Sequence, residues 1–284
     1  MSIGQAFSRV EAPAKVTGQA KYAADNTPPG TLYAVLVGAP VAAGKIVAID
    51  TAAALALPGV VHVLTARDMP RFGNIGIPAA VLHLPLQDDT IRHEGEPVAM
   101  VLGESIEAAE AGRIAVVARC EAATPVITGH GRREPPPEPR MLGDDLDLGD
   151  VDAGLTAANT RVEQVYVQPA RHHNPMETSG TVALFENGAL TLWDAVQAGD
   201  NVPPVIGAAL GLDLRAIRVI APHTGGGFGC KGYVWPHQVL AAAAAQVTGR
   251  PVKLHLRRQD NMPASATSRG WSSGCGSARM RVGG

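Results

Sequence analysis

The stretch His223-Thr224-Gly225-Gly226-Gly227-Phe228-Gly229-Cys230-Lys231-Gly232 constrains this chain more than any other. Glycine loses more backbone freedom on ordering than any other residue, so four in five positions need a reason. The usual reason is a backbone that must take positive φ or come close to a ligand. The segment before it, Ile217–Ala221, reads as a strand, so the glycines form a loop leaving a strand end. Such loops turn several backbone N–H groups towards one point and make a concave anion site. Lys231 is expected to add positive charge there. Phe228 is expected to anchor in a pocket, which argues against a slack surface loop.

Gly227-x-Gly229-x-x-Gly232 also matches the dinucleotide-binding fingerprint, with Arg257 and Arg258 as candidate contacts for a 2′-phosphate. In that fold the helix opens inside the glycine motif, so that its N-terminus meets the pyrophosphate. Here Tyr233, Val234 and Trp235 intervene before Pro236, a more natural helix start. NADP binding is therefore the lesser alternative.

The rest of the chain alternates strands and helices. Residues 1–30 are rich in turn formers, with 1–15 an N-terminal extension. Strands are expected at Leu32–Val37, Lys45–Asp50, Val60–Leu64 and Pro97–Leu102, and a short Ala-rich helix ends at Pro58-Gly59. Ser105 is placed to cap a helix running to about Cys120, with Ile106, Ala109, Ile114 and Val117 near one face. This spells an α/β domain over residues 16–128. Residues 129–150 lose all periodicity around three consecutive prolines and read as a linker. Beyond it, strands are expected at Val162–Val167, Gly180–Phe185 and Ala189–Asp194, the last two joined by a turn at Asn187-Gly188. Then come a helix at Pro203–Leu210 closed by Gly211, the strand at Ile217–Ala221, a helix at Pro236–Thr248 stopped by Gly249, and a strand at Val252–Leu256.

Composition removes several classes of function. A net charge of -2 leaves no basic surface for nucleic acid and no acidic tail. Three cysteines, an odd number without a CxxC pair, support neither a disulfide framework nor a thiolate zinc site. Arg171-His172-His173-Asn174-Pro175-Met176-Glu177 offers adjacent histidines that a strand would point to opposite sides, so a structural role fits better than a metal site. No apolar stretch approaches the ~18 residues that span a bilayer, so no membrane partner is expected. The N-terminus has no apolar export segment, which makes a cytoplasmic location the expectation, or a periplasmic one only if a partner carries the signal.

Three pieces of the second half form an ordered set: HHNPME, then a strand ending in DAVQ, then IRVIAPHTGGGFGCKG followed by a helix and GRPVKL. This set resembles the molybdenum-binding large subunits of xanthine dehydrogenases and aldehyde oxidases, and the segment WPHQVLAAAAAQVTGRPVKLHLRRQ resembles the bacterial aldehyde oxidoreductase type. Upstream, RVEAPAKVTGQAKYAADN, LPGVVHVLTARDMP and GEPVAMVL look like the domain that begins such subunits. The resemblance covers residues 7–262. It implies an α/β (α+β) fold: a hammerhead-type α/β N-terminal domain, followed over 151–262 by the first, incomplete part of a molybdopterin-binding domain.

The same resemblance implies a molybdenum–molybdopterin cofactor, often the cytosine dinucleotide form in bacteria. Aldehydes or N-heterocycles would be hydroxylated with oxygen from water, and electrons would leave through 2Fe-2S clusters to FAD on an iron–sulfur subunit and an FAD subunit. Gln197 would donate a hydrogen bond to an oxo ligand or the pterin. Gly226, Gly227, Phe228 and Gly229 would lie against the cofactor, with Phe228 shaping the approach of substrate. The general-base glutamate of the family is expected beyond the end of this chain, so no catalytic residue is assigned here and the chain alone is expected to be inactive.

Three positions depart from the pattern: Cys230 where many relatives have glycine, Gly232 where xanthine-oxidising members have glutamate, and Thr178 where proline usually follows Met-Glu. The missing glutamate favours an aldehyde over a purine. Residues 263–284 hold five Ser, five Gly, three Arg and no acid, and do not continue the pattern. They look like a shifted reading frame of a GC-rich gene. The rival from another class is a non-catalytic remnant that binds partner subunits. Residues 16–128 are expected to fold alone, and the second segment to expose apolar surface.

Overall fold

The computed structural model describes residues 3–76, 83–125, 149–168, 172–261 and 276–283, with the backbone alone described over 161–168 and 276–283. The first half comprises helix α1 (Ala12–Val16), strands β1 (Leu32–Gly38) and β2 (Gly44–Asp50), and helix α2 (Ala52–Leu55). Strands β3 (Val60–Leu64), β4 (Thr90–Ile91) and β5 (Pro97–Gly103), helix α3 (Ile106–Ala115) and strand β6 (Val117–Ala122) complete it. The second half holds helix α4 (Val151–Ala157), strands β7 (Arg161–Gln168), β8 (Gly180–Glu186) and β9 (Ala189–Asp194), and helix α5 (Val202–Leu210). Strand β10 (Ile217–Ile220), helix α6 (Pro236–Thr248) and strands β11 (Val252–His255) and β12 (Gly276–Gly283) follow.

One seven-stranded sheet, ordered β10-β9-β8-β11-β1-β5-β3, joins the two halves. Its seam is β1, which runs parallel to β11 from Leu32↔Val252 and antiparallel to β5 from Tyr33↔Gly103. The run Leu-Tyr-Ala-Val-Leu-Val suits that central place, because both faces of a mid-sheet strand are covered and no polar alternation is needed. Helix α6 lies against β8 and β11. His237 to Ala245 are all buried, and five consecutive alanines let the helix sit deep between neighbours that a larger side chain would push away. Gly249, at φ 62, ends it in the left-handed conformation that a β-carbon disfavours. The hairpin from β8 to β9 turns at Asn187 and Gly188, whose φ values of 52 and 76 fit a two-residue turn matched to strand twist.

Of a second sheet, β4-β2-β6, only β2 was expected. Helix α3 stops at Ala115 instead of continuing to Cys120, and Val117–Ala122 pairs antiparallel with β2 from Asp50↔Val117 to Gly44↔Ala122. Of the four residues expected near one helical face, Ala109 is buried while Ile106, Ile114 and Val117 are exposed. Close approach explains the choice of face. A β-carbon on Gly112 would lie 2.7 Å from Val101 Cγ1, and one on Gly103 would lie 2.7 Å from the Ala109 nitrogen. Only the small-residue face can come that near to β5. Ser105 caps α3, accepting from Ala108 N at 3.2 Å.

The turn-rich opening contains α1 and a 3-10 turn at Ala23–Asp25, whose Ala23 is buried. Residues 126–148, most of the expected linker, and 263–275 lie outside the described residues. Within the remaining tail, β12 runs antiparallel to β7 from Gly276↔Gln168 to Gly283↔Arg161.

Candidate functional site

Three segments converge at one end of the sheet: residues 172–179 before β8, Ala195–Gln197 after β9, and the glycine loop after β10. Gln197 ties the second of these to the glycine loop. Its backbone N–H donates to the Lys231 carbonyl at 2.8 Å. Its side-chain Oε1 accepts from Gly229 N at 3.1 Å and from Lys231 N at 3.2 Å. Both partners are donors, so the oxygen must face the loop, and this fixes the otherwise ambiguous amide. The Nε2 donors are left on the exposed side. A β-carbon on Gly227 would lie 2.2 Å from Gln197 Oε1, so this contact requires glycine there.

The loop takes the backbone shape that its glycines allow. Gly226 and Gly229 have φ of 94 and 100. Phe228 has φ 55, a left-handed conformation that is uncommon for a bulky residue and costs about 1–3 kcal/mol. Cys230 N donates to the Gly227 carbonyl at 3.0 Å and Gly232 N to the Gly229 carbonyl at 3.1 Å, closing two turns. Among the described residues, the N–H groups of Gly226, Gly227 and Phe228 have no acceptor. Gln197 also borders a cleft of about 530 Å³ lined by Val196, Asp200, Pro203, Arg218 and Val219.

Two expectations about this loop are overturned. Phe228 is 71% exposed rather than anchored in a pocket. Its left-handed backbone turns the ring outward, beside Gly226 and Pro175. Lys231 is 1% exposed and points inward rather than towards a ligand. Its Nζ donates to Glu177 Oε2 at 2.8 Å. The same oxygen accepts from Gly225 N at 2.7 Å, while Glu177 N donates to the Gly225 carbonyl at 3.0 Å. The cation is thus spent inside the protein.

Behind the loop lies a buried polar layer. Asp194, at the end of β9, accepts from Thr181 Oγ1 at 2.5 Å and from Gln238 Nε2. Burial raises its pKa to about 6, against the lowering effect of those bonds. Gln238 Oε1 accepts from Trp235 N at 2.6 Å, and Trp235 Nε1 donates to the Cys230 carbonyl. A chain of bonds therefore runs from β9 through the start of α6 to the back of the loop. His237 is buried with no hydrogen-bond partner on either ring nitrogen. Burial, assisted by the Lys231 charge, pushes its pKa down to about 3. Burial also lowers the pKa of His255, whose Nε2 lies 3.3 Å from Thr178 Oγ1.

The histidine pair does not lie in a strand. Residues 172–175 are irregular, with His172 exposed and His173 beside Gly229. The dinucleotide reading fails on geometry. Val234 and Trp235 are buried between the glycines and α6, so the helix start is closed off from the loop, and the sheet is mixed rather than doubly wound and parallel. Sequence reasoning missed Glu177, Thr181, Asp194 and Gln238. The one local signal was an acid ending the apolar run of β9, since a carboxylate buried at a strand end needs partners.

The family models agree with this architecture. Residues 17–121 match the aldehyde oxidase and xanthine dehydrogenase a/b hammerhead domain, and residues 135–277, about half of the chain, match the molybdopterin cofactor-binding domain. The chain belongs to the aldehyde oxidase and xanthine dehydrogenase family of molybdenum-binding subunits. It is 31% identical over 269 residues to the aldehyde oxidoreductase molybdenum-binding subunit PaoC of Escherichia coli K12, covering 94% of this chain and 36% of that one. It is 32% identical to the nicotine 6-hydroxylase large subunit of Paenarthrobacter nicotinovorans, covering 93% and 34%. Among solved structures, quinoline 2-oxidoreductase from Pseudomonas putida 86 superposes with a TM-score of 0.75 at 27% identity, covering 92% of this chain and 35% of that one. The chain thus spans about a third of the length of the relatives it matches. No helix among the described residues is long and apolar enough to cross a membrane.

Proposed function

We propose that this chain is the opening part of a molybdenum hydroxylase large subunit that oxidises aldehydes, or N-heterocycles, with oxygen from water. In this reading residues 16–128 are the hammerhead domain and 151–262 the first segment of the cofactor domain. The observation that carries it is the pairing of Gln197 with the glycine loop. The amide oxygen of the exposed Gln197 is fastened to the loop, and in that same loop the N–H groups of Gly226, Gly227 and Phe228 have no acceptor among the described residues.

Such a set of donors suits the oxygen-rich periphery of a molybdenum–pterin group. When bound, that group supplies the oxygen transfer and the two-electron chemistry. Gln197 would hold an oxo or pterin oxygen, Gly226, Gly227 and Gly229 would give the backbone room to approach, and Phe228, already turned outward, would border the path of substrate. The cytosine dinucleotide form, an iron–sulfur subunit, an FAD subunit and a cytoplasmic location complete the proposal. The relatives named as an aldehyde oxidoreductase subunit and a nicotine hydroxylase subunit support the substrate class.

The test is metal and activity analysis of the protein purified from its own host with whatever subunits accompany it. The expected result is about one molybdenum per chain and dye reduction driven by aldehydes more strongly than by purines. A folded protein free of molybdenum and inert to both substrate classes would overturn the proposal.

A further inference from the structure

Glu177 stands in the irregular segment before β8, yet it grips both ends of the glycine loop 48 and 54 residues further on. Its carboxylate Oε2 accepts from Gly225 N at 2.7 Å and from Lys231 Nζ at 2.8 Å, and its own N–H donates to the Gly225 carbonyl at 3.0 Å. Any β-carbon at position 225 would sit 2.5 Å from Glu177 Cβ, so the approach depends on glycine. Oε1 is buried without a partner, so all of the bonding passes through Oε2. The loop is clasped at Gly225 by Glu177 and at Gly229 and Lys231 by Gln197. Only the amides between the clasps, at Gly226, Gly227 and Phe228, lack an acceptor among the described residues.

A lysine in a glycine-rich loop is ordinarily an anion ligand. Here it is buried and ion-paired. We propose that Glu177 is a positioning residue that presets the Gly226–Phe228 amides for the cofactor and withdraws Lys231 from it, so that the loop selects its ligand by amide hydrogen bonds and not by lysine charge. The inference rests on the molybdenum–pterin reading above.

Hydrogen exchange on the wild-type chain, made in a host that cannot synthesise the pterin, tests the clasp without cofactor. Exchange at Gly225, Gly229 and Lys231 should be about tenfold or more slower than at Gly226, Gly227 and Phe228, as bonds to a charged or fixed acceptor imply. Equal exchange at all six amides would overturn the proposal.

Two charge-free double variants then separate acceptor from charge. E177Q/K231M keeps an oxygen for Gly225 and should retain wild-type loop exchange and molybdenum content. E177L/K231M removes it, and should lose about tenfold in protection at Gly225 and about tenfold in molybdenum per folded chain. A folded E177Q/K231M that loses molybdenum would show that the lysine charge is needed. A folded E177L/K231M that loads normally would show that the acceptor is not. Either result overturns the proposal, and if neither variant folds the wild-type exchange pattern decides. Wild-type protein without molybdenum in a competent host defeats the cofactor reading instead, while the exchange pattern still judges the clasp.

Discussion

The two halves of this chain share a sheet but bury different things. Around β2, β5 and α3 the core is aliphatic, built from Val37, Ala54, Ile91, Val98, Val101 and Val116. Among the described residues, the one charged group buried in that half is Glu96, at the mouth of β5. Around β8, β9 and α6 the buried set includes Thr178, Ser179, Thr181, Asp194, Lys231, His237, Gln238 and Asn261. Buried polar side chains are costly unless fully bonded, so their gathering behind the glycine loop marks where geometry is being held at the expense of stability. Glu96 shows the alternative. It accepts from His83 Nε2 at 2.9 Å and from Arg92 through both backbone and side chain, and two of those partners reach solvent. It anchors a surface turn.

Breaking one ion pair in each half should give the largest contrast. Lys231→Ala leaves the largely covered Glu177 without its cation and should destabilise the chain by about 3 kcal/mol. Arg92→Ala removes a half-exposed guanidinium, while Glu96 keeps His83 and the residue-92 amide, so a loss of about 1 kcal/mol or less is expected. Urea denaturation of both variants checks this. Equal losses would mean that the second half is no more tightly committed than the first.

Acid should separate the halves next. Asp194 has a folded pKa of about 6, above its ordinary value of 3.8, so the folded state holds a proton that the unfolded state has released. Its contribution is present below pH 4 and is lost as pH rises through 6. His237 does the opposite: its folded pKa is about 3 against an ordinary 6.5, so its contribution is lost as pH falls from 6.5 towards 3. Between pH 4 and 6 these two slopes oppose each other. Asp194→Asn should therefore make stability climb more steeply with pH across that window, and His237→Leu should make it fall. Glu96 adds a slope of its own. Burial acts to raise its pKa, but bonds from His83 and the Arg92 amide outweigh it and the net shift is downward, so its stability is lost only in more acid solution. Chemical denaturation at several pH values reads all three. Parallel profiles for wild type and Asp194→Asn would remove Asp194 from the account.

What could be read from the sequence follows the same division. Strands β3 and β9 and helix α6 coincide with their expected bounds, because apolar runs and Pro or Gly punctuation carry local information. Strand β6 did not, because Val117–Ala122 is a strand only by virtue of the edge that β2 offers it. The meeting of Gln197 with the glycine loop was legible as a place. Gln197 and the glycines do meet, and their identity as a pair came from resemblance and not from spacing. The orientation of the loop's side chains was not legible. Lys231 turns inward for the sake of an acid 54 residues earlier, and no pattern in a single sequence links those two positions. Likewise β1 gave no hint that its second neighbour would be β11, more than 200 positions on. In a fragment of residues 16–128 that side of β1 would be an open edge, the kind of surface that invites aggregation.

The smallest expected effect compares two strained residues. Leu86 and Phe228 both have left-handed φ, 59 and 55. Leu86 is buried among core side chains, so its strain is offset by the apolar surface it covers. Phe228 is largely exposed and has no such offset within the described residues. Substitution by glycine removes the strain at both places and adds the same freedom to the unfolded chain. Leu86→Gly also empties a core site and should cost about 2–5 kcal/mol. Phe228→Gly should change stability by about 1 kcal/mol or less in either direction. If the outward ring borders the path of substrate, that near-neutral variant should still alter kcat/KM in the complete enzyme, separating a residue kept for its position from one kept for packing. A loss of stability at Phe228→Gly as large as at Leu86→Gly would place its ring in the core and defeat the comparison.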